Sequence, residues 1–523
     1  MIESHPDMPA QQPDYATTIA AAKNAVQRAY YDRALVLVSR AEEWPAPYNE
    51  EGTLARVAVL CVRDPVAALE ELAKLKDVFT TPQGRFGYFI ASGRAYGNTR
   101  AFEAAAGMFR DAAVIVPQLD KQDVALLAYH NARLRWLRRD YDPTCGDIEV
   151  ALRDGSANTR FLATCIRGWM YAGLEDYKAF SKYLHEALTI AVEHPAETEG
   201  SAVAIAIHSL LRIAFELGND AAFQSAQAAM DTFEWTPDLQ LDRFQSIRIL
   251  AWHAFLHGQS ARAQWLFKDA RESAPSTAWK VMSHLDRAYV ARMNMNEIWA
   301  SEELMSANKL ARGVAWSETR GEERTALTTL AILFAPTNMA TAQRYISTYI
   351  GLGIDNVYPS MAVAFDKRSV AFEHYASGRI HQMLGNAQLA ADLLRSAYET
   401  FERAEHHFRA AQAAFALYET TKDRNWHQTA QRHAQRFPKS PLAERLADEA
   451  LEEEPARNPF QTLSSLEREI ALAYIHGAET RDLEERFGRS SKLIDHCLKA
   501  IFKALQVQNR EELRAALSRY GLS

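Results

Sequence analysis

His381-Gln-Met-Leu-Gly-Asn386, followed by Ala390-Ala-Asp-Leu-Leu394, decides how this chain folds. Apolar residues at helical spacing run into a Gly-polar turn, and an Ala-rich amphipathic stretch starts beyond it. The same sentence is written elsewhere. Arg94-Ala-Tyr-Gly-Asn98 precedes Ala101-Phe-Glu-Ala104, and Trp169-Met-Tyr-Ala-Gly173 precedes Tyr177. Phe215-Glu-Leu-Gly-Asn219 precedes Ala221-Ala-Phe223, and Phe255-Leu-His-Gly258 precedes Ala261-Arg-Ala263. Less regular breaks fall near Asp64, Asp140, Asn296, Pro336 and Asp423. The period is about 40 residues, within the range of helical repeats.

A single helix pair cannot cover its own apolar face, so each pair leans on the next. Ala lets the two helices of a pair approach closely, and Trp136, Trp169, Trp252, Trp265, Trp279, Trp299 and Trp316 are read as fillers of the wider gaps. Alternating strand-like runs are almost lacking. Residues 15–447 are therefore predicted to form about ten helix pairs coiled around a concave face. This stretch resembles the tetratricopeptide-like (TPR-like) regulatory domains of MalT-type activators, in architecture rather than in subfamily. Residues 1–14, with Pro6, Pro9 and Pro13, are read as a disordered leader. The acidic stretch Asp448-Glu-Ala-Leu-Glu-Glu-Glu-Pro455 opens a linker over 448–460, although Arg445 to Glu454 could instead prolong the last helix up to Pro455.

The last segment, 461–523, reads differently. Ser464 or Ser465 caps a first helix with Glu467 or Glu469 in its first turn, and Ile470, Leu472, Ala473 and Ile475 face inward. Gly477 stops that helix. Thr480 caps a second, which turns Leu483 and Phe487 inward, and Gly488 makes a tight turn. Ser490 or Ser491 caps a third, whose buried stripe is predicted as Leu493, Ile494, Leu498, Ile501, Phe502 and Leu505. The opposite face carries Lys492, Asp495, His496, Lys499 and Lys503. From Arg486 to Lys503 there are five Lys or Arg against one acid, Asp495, in a chain of net charge −7. A small basic helical surface in an acidic chain suits phosphates.

This segment resembles the LuxR/GerE-type helix-turn-helix of MalT-like transcription factors. Leu463, Ser464, Glu467 and Glu469 match the family's opening, Gly477 the glycine before its second helix, and Ser490 and Ile494 the start of its recognition helix. Leu505, Val507 and Arg510 match its closing pattern. Asp495 and Cys497 stand where the family usually has Lys and His, positions used against DNA or to brace the helix. Promoter-binding region 4 of sigma factors shares the helix logic, but the Val507, Arg510, Leu513 tail favours LuxR/GerE. The resemblance implies an all-α chain, a TPR-like α-solenoid followed by a LuxR/GerE-like bundle, acting as a cytoplasmic bacterial transcriptional regulator. Lys492, His496 and Lys499 are then expected at base edges, and Arg481, Arg489 and Lys503 at phosphates. Ser491 and Asp495 complete the expected DNA-binding set. The implied partners are double-stranded DNA and a protein, peptide or small effector on the solenoid. A homodimer would span two half-sites. The alternative is a non-DNA-binding scaffold that docks on RNA polymerase or another regulator.

Other chemistries lack their signatures. There is no GxxxxGK[ST], GxSxG or HExxH pattern, and the glycines of Ile350-Gly-Leu-Gly-Ile354 read as a loop. No enzyme activity, cofactor or metal is expected. His253 and His257 sit at i, i+4, but no third ligand is evident in the neighbouring sequence, so they are read as ordinary histidines. Cys61, Cys145, Cys165 and Cys497 include no CxxC spacing, which points to a reducing compartment without disulfides. No stretch of about 18 apolar residues is apparent, so no membrane span is expected.

Overall fold

The computed structural model describes residues 15–42, 50–75, 77–319, 321–352, 362–448, 463–505 and 507–519. The expected leader and nearly all of the expected linker lie outside them. No strand occurs among the described residues. The chain divides into two compact units, residues 1–444 and 445–523. The fold is all-α and TPR-like.

The first unit is a run of helix pairs. They are α1 Tyr15–Gln27 with α2 Tyr31–Glu42, α3 Glu50–Arg63 with α4 Pro65–Lys74, and α5 Pro82–Asn98 with α6 Phe102–Ile115. Next come α7 Lys121–Leu137 with α8 Gly146–Asp154, α9 Ala157–Gly173 with α10 Tyr177–Glu193, and α11 Gly200–Leu217 with α12 Asp220–Thr232. Then follow α13 Gln240–Leu256 with α14 Ser260–Glu272, α15 Thr277–Met293 with α16 Glu297–Ala311, and α17 Gly321–Phe334 with α18 Met339–Gly351. The last are α19 Ala362–Met383 with α20 Ala387–Arg403, and α21 His407–Thr421 with α22 Arg424–Ala434, before a short α23, Pro441–Asp448. That makes eleven pairs among the described residues where about ten were expected. The first two pairs have no Gly turn to announce them.

A common turn builds these pairs. Nine of the eleven hold one residue at positive φ between 58° and 78° just after the first helix. Only three of these residues are glycines, Gly218, Gly258 and Gly385; Arg100, Arg139, Glu175 and Met295 are among the others. A side chain in that region is disfavoured by about 1 kcal/mol. The turn is therefore imposed by helix packing, and the glycine turns were simply its most legible instances. In several pairs a short polar residue then caps the second helix. Asp176, Asn219 and Asn296 accept from the backbone N–H groups of Ala179, Ala222 and Trp299 at 2.9, 3.2 and 3.1 Å.

Small residues set the spacing within a pair. A Cβ added to Gly378 would stand 2.7 Å from Leu394 Cγ, closer than packed carbons allow. Of the expected Trp fillers, Trp279 is buried, Trp136, Trp169, Trp252, Trp299 and Trp316 are half-buried, and Trp265 is a correction. Trp265 is 64% exposed because it lies on the solvent side of α14, whose buried stripe is Ala263, Leu266, Phe267 and Ala270. Helix α11 is also a correction. It has 18 residues and a mean hydropathy of 1.4, long and apolar enough to cross a membrane, yet most of it is buried against neighbouring helices. Its charges, Arg212 and Glu216, pair at 3.1 Å one turn apart.

The solenoid winds tightly enough for distant pairs to touch. The Thr236 hydroxyl donates to the Ala29 carbonyl at 2.9 Å, and Tyr30 OH to Glu234 at 2.6 Å, so the first pair packs beside the segment that follows α12. Farther along, Lys178 meets Glu405 at 3.1 Å, Phe215 meets Phe437 with ring centroids 5.9 Å apart, and Trp252 meets Phe408 at 6.3 Å. The eleventh pair and its following turn thus close onto the fifth to seventh pairs. The odd-numbered helices line the inside.

The second unit contains α24 Ser465–Ile475, α25 Thr480–Phe487, α26 Ser491–Leu505 and α27 Arg510–Arg519. Their core is Leu463, Ile470, Ala471, Ala473, Ile475, Leu483, Ile494, Cys497, Leu498, Ile501, Leu505, Leu513 and Leu517. Arg510 and Arg514 tie the last helix to the end of α24. Arg510 donates to the Ala478 carbonyl at 2.7 Å and lies 4.0 Å over the Tyr474 ring, while Arg514 donates to the Ile475 carbonyl. Arg514 thus meets an orphan carbonyl at the negative end of α24, and Arg510 holds the turn that follows it.

Candidate functional site

The C-terminal bundle is built by its caps. Ser464 and Glu467 form a reciprocal capping box, with Glu467 N–H to Ser464 Oγ at 3.2 Å and Ser464 N–H to the Glu467 carboxylate at 2.8 Å. The Ser464 N–H holds the Glu467 carboxyl below its usual range. That contribution is present above the unfolded pKa, about 4.3, and is lost as pH falls through the lower folded value. Glu467→Gln should therefore lower the bundle's melting midpoint at neutral pH, and the gap to the native chain should shrink below about pH 4, as read by thermal melts across pH. Ser464→Ala should cost about 1 kcal/mol.

The second cap differs from expectation. Glu479, not Thr480, is the N-cap of α25, and its N–H donates to Asp482 at 2.9 Å. An acidic residue three positions on can complete a box with Glu479 but not with Thr480. Gly477 and Gly488 take φ of 102° and 60°, as stops for α24 and α25. Ser490 accepts from the Leu493 and Ile494 backbone N–H groups and so stands at the cap of α26.

Helix α26 shows which face meets the core. Ile494, Leu498, Ile501 and Leu505 are buried as expected and Phe502 is half-buried. Leu493 is a correction: it is 39% exposed, and Cys497 takes the inward position instead. Cys497 lies four residues before Ile501 on the buried stripe, whereas Leu493 falls at its margin. Burial pushes the Cys497 thiol up, so it stays neutral and braces the helix.

The opposite face is open. Lys492, Asp495, His496, Lys499 and Lys503 are all exposed, one above another on successive turns. Ser491 begins the helix, Arg489 lies in the turn before it and Arg481 in the first turn of α25, and these too are exposed. No ion pair is formed by Lys492, Lys499, Lys503, Arg481 or Arg489 among the described residues. Asp495, for which pairing with Lys492 or Lys499 was one reading, bonds to neither. The surface is thus a cationic stripe with one unpaired carboxylate in its middle.

Two cavities open among the described residues of the solenoid. One, of about 160 Å³, is lined from α11, α13, α15, α17, α19 and α21. Arg248 grips Asp286 through Nε and, at 3.0 Å, through Nη2, and Trp252 Nε1 donates to the same carboxylate at 3.1 Å. Arg409 is spread over Phe372 and Phe408, 5.3 and 5.8 Å from their centroids, and donates to Gln412 at 2.9 Å. It has no ion-pair partner among the described residues. The other cavity, about 500 Å³, lies chiefly among α1, α3, α5 and α7, with Arg94 and Glu199 3.4 Å apart at its wall. Neither cavity could be placed from sequence, because each is assembled from helices tens of residues apart.

A three-residue cluster also appears where the sequence showed only two members. His253 and His257 of the α13 end are joined by Asp220, the first residue of α12. The expectation that no third ligand is near is corrected: antiparallel packing brings in a carboxylate from 33 residues before His253.

No family model matches the chain, and no curated protein matches it. Solved structures do. The apo form of the quorum sensor NprR from B. thuringiensis aligns at 15% identity over 64% of this chain and 97% of that one, with a TM-score of 0.39. A Rap protein complexed with competence and sporulation factor aligns at 12% identity over 79% of this chain and 99% of that one, with a TM-score of 0.28. Yeast Tom70 aligns at 12% identity over 84% and 97%, with a TM-score of 0.29. The likeness is one of helical-repeat architecture.

Proposed function

We propose that the chain is a transcriptional regulator. Its C-terminal bundle is read as a LuxR/GerE-like head that binds promoter DNA through α26, and its solenoid as the receiver of a protein, peptide or small effector. The observation that carries this reading is the cationic stripe of α26, exposed and, among the described residues, free of ion pairs while the helix's other face is filled with core. A protein surface gains nothing from unpaired like charges on successive turns, whereas DNA phosphates reward them by counterion release. Lys492, His496 and Lys499 are assigned to base edges or groove, and Arg481, Arg489 and Lys503 to phosphates. A bundle of this size makes few contacts, so specific binding calls for a homodimer on two half-sites.

Arg409 supports an effector that carries an acidic group, since its charge at the cavity wall has aromatic support and, among the described residues, no ion-pair partner. Four buried free cysteines accord with the cytoplasm.

A second reading rests on Asp495. An unpaired carboxylate in the stripe repels phosphate unless it accepts from a cytosine amine. In that case the head would dock on RNA polymerase or another regulator. Fluorescence anisotropy of the full chain on duplex DNA across a salt series, joined to genome-wide immunoprecipitation, separates the two. Discrete sites sharing a motif and a steep salt dependence favour the regulator. Absence of both, with RNA polymerase co-purifying, favours the scaffold.

A further inference from the structure

We propose that Asp220, His253 and His257 form a binding site for a divalent late first-row transition metal, Zn²⁺ foremost, on the solenoid. The site is independent of any DNA binding by the C-terminal unit.

The donor atoms are already gathered. Each residue offers one ligand atom and all three lie within 4.8 Å of one another. Asp220 Oδ1 is 3.7 Å from His253 Nε2 and 3.7 Å from His257 Nε2. Those distances are too long for hydrogen bonds. Ligands about 2.0–2.1 Å from a tetrahedral zinc stand roughly 3.3 Å apart, so the carboxylate needs only a small approach to each imidazole.

The histidines are also prepared as ligands. His257 Nδ1 lies 2.9 Å from the His253 carbonyl oxygen. A carbonyl oxygen only accepts, so Nδ1 carries the proton and Nε2 presents its lone pair towards Asp220. A ligating imidazole whose other nitrogen donates to a backbone carbonyl is the usual supported arrangement at metal sites. His253 Nε2 is buried and has no hydrogen-bond partner among the described residues. Its ring is held between Phe223, 3.7 Å away at 12°, and His257, 4.0 Å away at 27°. Burial, then His257, pushes the His253 imidazole down to about 4, so it is neutral at physiological pH.

The chemistry of the set selects the metal. Two imidazole nitrogens and one carboxylate suit zinc, cobalt or nickel and disfavour calcium and magnesium, which want oxygen. The Asp220 side chain is 65% exposed, so the cluster is open to water on that side. Phe437, 6.1 Å from the His257 ring, belongs to the turn after α22 that closes onto these repeats. A bound ion would clamp the start of α12 to the end of α13 beneath that closure.

The test uses the untagged full chain after chelator treatment, titrated with Zn²⁺ by calorimetry and with Co²⁺ by visible absorption. One equivalent should bind, with cobalt bands of a nitrogen and oxygen site and no thiolate charge transfer. Asp220→Asn and His257→Gln should each weaken binding at least about tenfold, while His194→Gln should not. Asp220 is exposed, so its variant keeps the metal-free melting temperature, and a native melt for either variant shows that lost binding is not lost folding. No saturable binding by the native chain, a thiolate signature, or unchanged affinity in both variants would overturn the site.

Discussion

The Lys492→Ala/Lys499→Ala double variant is expected to bind duplex DNA roughly 100-fold more weakly than the native chain. A side chain at a base edge contributes about 1–3 kcal/mol, and 1.4 kcal/mol is about tenfold in affinity. Both residues lie on the exposed stripe of α26, make no ion pair among the described residues, and should change stability by less than about 0.5 kcal/mol. Arg489→Ala/Lys503→Ala should act differently. Two lost phosphate contacts reduce the salt slope by about 2, with weakening spread evenly over sequences. Asp495→Asn removes a negative charge from the same face and should strengthen non-specific binding. Anisotropy titrations over a salt series read all three. Undiminished binding by the lysine double variant would remove α26 as the reading helix.

Ile501→Ala should melt the C-terminal bundle and leave the solenoid folded. Ile501 is fully buried in the bundle core, two turns after Ile494 on the same helix as the lysines. Truncating such a residue costs about 2–5 kcal/mol. A core of this size rarely supplies more than about 3–5 kcal/mol, so little stability would remain. The solenoid forms a separate compact unit with its own buried residues. Hydrogen exchange should therefore show lost protection over 463–519 and intact protection in the helix pairs, and DNA binding should vanish at every salt concentration. Protection of α24 to α27 equal to the native chain's would show that the bundle is far more robust than its size suggests. The two variants modify opposite faces of one helix: one alters recognition without folding, the other folding without any recognition residue.

The helix order was readable because its causes are local. Periodicity, short polar caps and glycine stops act over three to five residues, so Ser464, Gly477, Gly488 and the turn at Gly385 announced themselves. Where two neighbouring residues competed for one role, local signals were too coarse. Glu479 displaced Thr480 because Asp482 lay three residues on, and Cys497 displaced Leu493 because the core set the angle of the stripe. At turns such as Arg139 and Met295 the neighbouring polar residues Asp140 and Asn296 marked a break, but nothing in the sequence showed that a non-glycine residue would take positive φ there.

The amino-acid order by itself determined that this is an all-α chain of paired helices ending in a small bundle with one cationic face, because hydrophobic periodicity, caps and charge spacing are properties of consecutive residues. Only the tertiary structure decided which distant helices meet. It closed the eleventh pair onto the fifth to seventh, enclosed Arg409 beside Phe372 and Phe408, and set Asp220 against His253 and His257. Those juxtapositions depend on the accumulated rotation of one helix pair on the next, and a small rotation repeated over several pairs is written in no single stretch of sequence.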